Sequence, residues 1–445
     1  MALELARAGR QAVVLEAGEE YAGNDYPCDE LTGSTRLYWN GGYEPLSGAR
    51  IGMLRGKAVG GSTVVNSALL DRFEGGIWDQ WRDISGVPHF THAAAQPDYA
   101  AVAADMAIAT VPRSAWNTGA RVLAGAMGRR GLAVQPLVRA TAGCAEEGMD
   151  CLHCLFGCRQ GRKQSAAVTT LREARALGAQ LRTGVEMRVL RLDAGMPLLE
   201  GVDAAGCPLR VRARHVVLAA GAVGTTALLL RSGLGRRIPR LGRGIACHPS
   251  LVAVARMNHR IDAHLGTYTA IASHGPDLRR QGLKLEHMAA PPIGTAMLVP
   301  GFGRAHAQAM QSYRDLLFIE LSIQDDAAGR LTVGWNGQPR VHKPLTAGDR
   351  QKLARGAALL REILHEAGAV DIWMSDELYG LHPMGGCAIG TDPARSVVDP
   401  DFRLHHDRRV TIADSSVFPA APGHNPSLSI MALSHRAAQG LKATA

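Results

Sequence analysis

Two residues that can handle a proton or hold an oxygen each stand before a proline near the C-terminal end of the chain. His382 opens "HPMGGCAIG" (382–390), and Asn425 lies in "GHNPSLSIMALSHRAA" (423–438) with Pro426 after it. A residue before proline is held extended, which aims its side chain. His424 competes with Asn425 for that assignment, and the Asn-Pro pairing favours Asn425. A neutral imidazole, with its ordinary pKa near 6.5, can take a proton at physiological pH. An asparagine beside it can hold a substrate oxygen without competing for that proton. Taken singly, each is an ordinary loop residue; their order and spacing among the other segments give them weight.

The glycine-rich segments come next. "GKAVGGSTVVNSALL" (56–70) puts Gly60, Gly61, Ser62 and Thr63 together, with Asn66 just beyond. Adjacent glycines let a backbone approach a flat ring or a phosphate closely, and the polar side chains can bond to ring edges. "VVLAAGAVGTTALLLRSGLG" (216–235) reads as a buried strand turning at Gly221 directly into a helix, an arrangement that points backbone N–H groups at a cofactor. "VTIAD" (410–414) is a strand ending in Asp414, followed by a Pro-rich turn and a helix that should open at Pro426. At the other end, "MALELARAGRQAVVLEAG" (1–18) reads as a helix, a Gly9 stop and a strand ending in Glu16. That is the second half of a dinucleotide-binding βαβ unit, whose acid lies about 20 residues after the first glycine of G-x-G-x-x-G. That glycine falls before Met1. The expectation is therefore a natural protein beginning about 15–40 residues earlier, the length of a strand and glycine turn, and weak cofactor binding by the sequence as written.

Four of the eight cysteines, Cys144, Cys151, Cys154 and Cys158, crowd into residues 144–158. The close spacing is what iron–sulfur ligation needs. Structural thiols or one disulfide fit the same loop, as does a zinc site with His153 added. The rest of the 445 residues form no disulfide framework.

Several elements must position these groups. The chain is 46% hydrophobic and 20% charged, a composition with ample core for two domains. The net charge of +9 is spread in short clusters such as Arg236-Arg237, so it predicts a solvated basic surface and no nucleic-acid partner. No apolar run reaches the roughly 18–20 residues of a membrane span. The chain enters a helix at Met1 with Glu4 in it, so it shows no signal peptide; the expectation is a cytoplasmic bacterial protein, with an upstream export signal left open. Residues 18–65 show no periodic helix, and residues 92–130 read as helix broken at Pro112. Residues 164–177 read as helix, 180–218 as three strands returning to a buried fourth, and 346–366 as an amphipathic helix ending before Gly368.

The glycine, His-Pro and Asn-Pro segments together resemble the glucose–methanol–choline (GMC) oxidoreductases, flavoproteins that oxidise alcohols. Residues 56–66 are similar to the family's first signature. Residues 221–235 are similar to its second, with Thr226 where Pro or Ser is usual. The His382 and Asp414–Asn425 segments resemble its C-terminal block, and "ELARAGRQAVVLEAG" resembles the opening βαβ unit after its glycine loop. The Cys-rich loop resembles a bacterial branch with long-chain alcohol oxidases and polyol or sugar dehydrogenases, some carrying an iron–sulfur cluster.

The resemblance implies an α/β chain with a Rossmann-like FAD-binding domain (1–72, 151–250 and 381–445) and a smaller domain of mixed or antiparallel sheet for the substrate (73–150 and 251–380). It implies that Glu16 binds the adenosine ribose, that Gly60, Gly61, Ser62 and Asn66 line the flavin beside Gly221, and that Asp414 lies near the ribityl chain. Pro426 opens the helix behind Asn425. Val65 stands where some members carry a His tethered to FAD, so FAD should be non-covalent. His382 becomes the base that takes the alcohol's proton as hydride passes to flavin N5, a role worth about 10²–10⁴-fold. Asn425 is its partner. Electrons would go to O2 or a redox partner. Met and Leu in residues 284–300 suit an apolar alcohol or a sterol. Two other readings stand beside this one: a truncated, non-catalytic remnant unable to hold FAD, and an iron–sulfur electron-transfer subunit.

Overall fold

The computed structural model describes residues 1–27, 29–144 and 154–442. Helix Ala2–Arg7 is followed by Gly9 at φ +69° and by the strand Val13–Leu15. That strand pairs in parallel with Gln180–Arg182, Val14 opposite Leu181. A second parallel pair sets Val216–Leu218 against Asp407–Ile412. Between them in sequence, Glu186–Arg191, Leu198–Val202 and Pro208–Arg212 form the expected three-stranded antiparallel excursion. Val216–Leu218 leads straight into helix Gly221–Arg231. The last helix, Ser427–Lys442, starts one residue later than the sequence predicts: Pro426 stays outside it and its carbonyl accepts the Ile430 N–H at 2.9 Å.

The second body is one large sheet. Its centre is the antiparallel set Pro249–Arg256, Leu316–Ile323 and Leu283–Met288. Every residue of Leu316–Ile323 is buried, so the strand lacks the alternation of a half-exposed sheet. Helix Ala347–Glu366 lies across it, started by a capping box in which Thr346 and Asp349 satisfy each other's backbone N–H. The helix comes so close that a Cβ on Gly356 would lie 2.1 Å from Leu321 Cδ2. The short strands Glu44–Pro45 and Ile51–Met53 extend the same sheet, Ile51–Met53 running parallel to Leu378–Gly380.

Phe73, Trp78, Trp81, Phe90 and Tyr99 share one core with Val216, Leu218, Val410, Ile412 and Phe418. Trp81 and Phe418 pack with ring centroids 4.6 Å apart. These aromatic residues back the parallel strands. The sequence also conceals helix Glu30–Leu37, whose Asp29 cap accepts the Thr32 N–H at 2.8 Å. It is polar almost throughout and carries Gly33, which packs under Phe156, so it lacks the apolar spacing of a helix. The helix predicted over 164–177 is confined to Thr170–Ala176, and Thr169 Oγ1 donates back to the Ser165 carbonyl in the turn before it. Among the described residues, no helix is long and apolar enough to cross a membrane.

Burial also sets an acid limit on the fold. His287 is wholly buried in the large sheet, and burial pushes its pKa down to about 3. A depressed His costs nothing above the unfolded value near 6.5; below it, the unfolded chain binds a proton that the folded chain refuses. Stability should therefore fall by about 1.4 kcal/mol per pH unit for such a group as pH drops below about 6.5. Urea unfolding of wild type and His287→Phe as a function of pH measures this, and equal acid slopes would exclude His287 as the source.

Candidate active site

His382 is carried by a segment that pairs with the turn after Asp414. The N–H groups of Gly385, Cys387 and Ile389 donate to the carbonyls of Ser415, Ser416 and Val417 at 3.0, 2.9 and 3.0 Å. Gly385 takes φ +79°, and a Cβ there would lie 2.1 Å from the Gly244 carbonyl oxygen, so only glycine allows this approach. The His382 ring meets a residue that the sequence reading missed: its Nδ1 is 3.2 Å from Nδ1 of His248, with the rings 79° apart. His248 Nε2 in turn accepts the Gly423 N–H at 3.0 Å, two residues before Asn425. His248 thus bridges the two expected catalytic residues. It holds the left-handed backbone conformation at φ +50°, and its N–H donates to Asp325 at 3.0 Å. Asp325 is paired with Lys343 at 3.0 Å, both wholly buried. The signal was present, since His248-Pro249 repeats the motif of His382-Pro383 and Asn425-Pro426.

Asn425 is fixed from the large sheet. Its Nδ2 donates to Glu286 Oε1 at 2.9 Å, and its N–H donates to Asp71 at 3.2 Å. Lys284, almost fully buried, pairs with both acids, Glu286 at 2.8 Å and Asp71 more closely. Glu320 stands opposite Glu286 on the neighbouring strand and accepts from Ser322 Oγ at 3.1 Å. Burial, together with the charge of Glu286, pushes Glu320 up to about 7. Burial works against Lys284 keeping its charge, but Asp71 and Glu286 outweigh it and hold the ammonium. Around the two imidazoles burial dominates: His382 falls to about 4, helped by Lys284, and His248 lies well below its usual range.

The expected cofactor residues gather at the ends of the parallel strands. Glu16 closes the first strand and accepts the Gly18 N–H at 2.7 Å; burial raises its pKa. A Cβ on Gly18 would lie 2.4 Å from Ala58 N, so the segment leading to Gly60 crosses directly over this strand end. Gly60 and Gly61 take φ +96° and +57°, and Ser62 Oγ accepts the Gly56 N–H at 3.0 Å. Asn66 Nδ2 reaches Ser427 Oγ at 3.4 Å, tying this loop to the start of the last helix beside Pro426. Lys163, also missed from sequence, donates its buried ammonium to the carbonyls of Val64, Asn66 and Cys154 at 2.7, 2.5 and 2.9 Å. Gly221, at φ +74°, donates its N–H to Asp414 at 2.9 Å. Thr225 Oγ1 and the Ser416 N–H, at 2.5 and 2.8 Å, also bond to Asp414. Asp414 thus fastens the start of helix Gly221–Arg231, its carboxylate taken up by protein donors. Space for a Cβ over Gly61 and Gly221 is open to 4 Å, so bare backbone faces outward beside an acid at a strand end. This donor set fits FAD.

The cysteine loop is placed only in part, since Cys151 and His153 lie outside the described residues. Cys144, Cys154 and Cys158 are free thiols. Cys154 Sγ is 3.3 Å from Arg139 Nη2, and Cys158 Sγ is 3.5 Å from the Lys163 N–H nitrogen. Among the described residues, no group of three or more His, Cys, Asp or Glu side chains is arranged to hold a metal ion. The iron–sulfur and zinc expectations thus find no ligand set there.

Comparison with known proteins shows the family. The N-terminal and C-terminal family models described as GMC oxidoreductase match residues 34–250 and 320–434. A GMC-type oxidoreductase of Mycobacterium tuberculosis is 30% identical over 97% of this chain and 72% of its own length. Long-chain-alcohol oxidase FAO4B of Arabidopsis thaliana is 26% identical over 98% of this chain and 64% of its own. The fold is similar to that of pyridoxine 4-oxidase from Mesorbium loti, with a TM-score of 0.78 at 18% identity, covering 98% of this chain and 96% of that one. On the two family models and the 30% identity, this chain belongs to the GMC oxidoreductase family.

Proposed function

We propose that the protein oxidises the CH–OH group of a small alcohol to an aldehyde or ketone with non-covalently bound FAD. The observation that carries this reading is the hydrogen-bond chain from His382 through His248 to the Gly423–Asn425 turn. It brings an imidazole and an amide from separate segments to one place. The names of relatives such as the long-chain-alcohol oxidase support an alcohol donor. When bound, FAD supplies the hydride acceptor, its N5.

The chain's own residues do the rest. Glu16 takes the adenosine ribose. Gly60, Gly61, Ser62, Asn66 and Gly221 present backbone and short side chains along the cofactor, with Asp414 holding the turn behind them. Glu286 and Asp71 fix Asn425. His382 and Asn425 hold the alcohol oxygen while the alcohol loses its proton and hydride. Val65 cannot form the covalent link that a histidine there could. Precipitation with acid should therefore leave the protein colourless and the flavin in solution; yellow protein would overturn non-covalent binding. The activity is tested by mixing the flavin-loaded protein anaerobically with a panel of primary and secondary alcohols and following loss of flavin absorbance. Bleaching by at least one alcohol is expected. A chain that binds no flavin returns the remnant reading, and flavin unmoved by any alcohol overturns alcohol oxidation. Repeating the reaction with O2 and with an artificial dye assigns the electron acceptor.

A further inference from the structure

Protons can be counted on the face of the large sheet behind Asn425. Side chains alternate along a strand, so Glu320 and Ser322 share the face opposite to that of Leu321, which packs against helix Ala347–Glu366. On the flanking strands Ser250 stands opposite Ser322, and Glu286 stands opposite Glu320. Three contacts run in a line: Glu320 Oε1 to Ser322 Oγ at 3.1 Å, Ser322 Oγ to Ser250 Oγ at 2.8 Å, and Ser250 Oγ to the His248 carbonyl at 3.2 Å. Taken alone, Ser322 can donate to Glu320. Taken together, the line ends on a carbonyl, which only accepts, so Ser250 spends its one proton there. Ser322 must then donate to Ser250, and the remaining contact needs a proton from Glu320 itself. Two hydroxyls cannot supply three hydrogen bonds. Glu286 is the ionised member of the pair, since it accepts from Asn425 Nδ2 at 2.9 Å and meets the Lys284 ammonium at 2.8 Å.

We propose that Glu320 is the protonated member of a carboxyl pair with Glu286 and acts as a positioning residue, its proton leaving Glu286 as the single charge that anchors the Asn425 amide. Its effect on rate rests on the alcohol-oxidation reading. Like charges directly opposite each other on neighbouring strands repel. Loss of the Glu320 proton sets a second buried charge against Glu286, turns the two hydroxyls toward Glu320 and takes the donor from the His248 carbonyl. Glu286, and Asn425 with it, should then shift. The surroundings favour the acid form. Burial is the largest influence on Glu320, the charge of Glu286 adds to it, and Lys284 opposes both. Beyond Lys284 stand Asp71 and the rings of His274 and His424, which burial pushes toward the neutral form.

A pH profile tests this. In anaerobic reduction of the bound flavin by alcohol, the wild-type rate should fall about tenfold per pH unit above about 7, as for a single ionisation. Glu320→Gln can donate to Ser322 but cannot ionise, so this alkaline limb should vanish; an unchanged limb overturns the proposal. Two readouts need no turnover. The folded value of Glu320 lies above the unfolded one, so its contribution to stability is present below about pH 4.3 and lost as pH rises through about 7. The urea midpoint of the wild type should therefore fall relative to that of Glu320→Gln over this range, and parallel curves overturn the proposal. Infrared spectra of the wild type in mildly acidic solution should show the C=O stretch of a protonated acid that Ser322→Ala shifts, because the acceptor of its proton is gone. A spectrum without such a band, or with one that Ser322→Ala leaves in place, likewise overturns it. If no alcohol reduces the flavin, alcohol oxidation fails on its own, while unfolding and infrared spectra still decide the state of Glu320.

Discussion

Alanine at His382 should slow reduction of the bound flavin by alcohol about 10²–10⁴-fold, the usual worth of a positioned general base. The expectation follows from where the ring stands. It is the ring whose other nitrogen is occupied by His248, in a segment fastened by its backbone to residues 415–417. Flavin content should be little changed, because the cofactor residues lie in other segments and the His382 backbone bonds do not involve its side chain. Stopped-flow reduction under anaerobic conditions, with flavin content measured on the same samples, gives both numbers. A loss below tenfold would remove His382 from the reacting centre.

The second large effect falls on stability. Among the described residues, Lys284 is the ammonium that pairs with Asp71 and Glu286 beside Glu320, and it is 3% exposed. Lys284→Met keeps the length of the side chain and deletes the charge, leaving carboxylates buried without their partner. Breaking a buried pair from one side costs about 3–5 kcal/mol. The denaturant midpoint should fall accordingly. Asn425 should also lose its placement, because both carboxylates that hold it are the ones Lys284 neutralises. Adding Asp71→Asn and Glu286→Gln should recover much of the stability without restoring turnover, because the charges are then gone from both sides. A stable single mutant would show that the acids are neutral in the fold without Lys284.

Some of this was legible in the chain because the signals are local. Val216–Leu218 running into Gly221 needs only a short apolar run and a glycine, and the structure places strand and helix there. The helix from Thr346 was legible from its apolar spacing and the Gly368 stop. The His382 and Asn425 segments were read from the proline after each and from their order among the glycine-rich segments. Helix Glu30–Leu37 was not, because a polar helix held by its cap and by packing at Gly33 has no periodic face. Nor was the sharing of the Trp78–Trp81 core with strands more than 130 residues away, since sequence distance carries no record of packing.

By itself the sequence determined the residue types that reach the site, the order of its segments and the family to which they belong. Backbone-level requirements such as glycine at a tight turn, or an extended residue before proline, are met within a few positions. Tertiary structure decided the electrostatics. It set His248 between His382 and Gly423, put Lys284 among three acids, and used Lys163 to tie the loop at Val64 and Asn66 to Cys154. Each of these joins residues far apart in the chain. Their protonation depends on burial and on partners, which exist only once the sheet, the helices and the turn after Asp414 have come together.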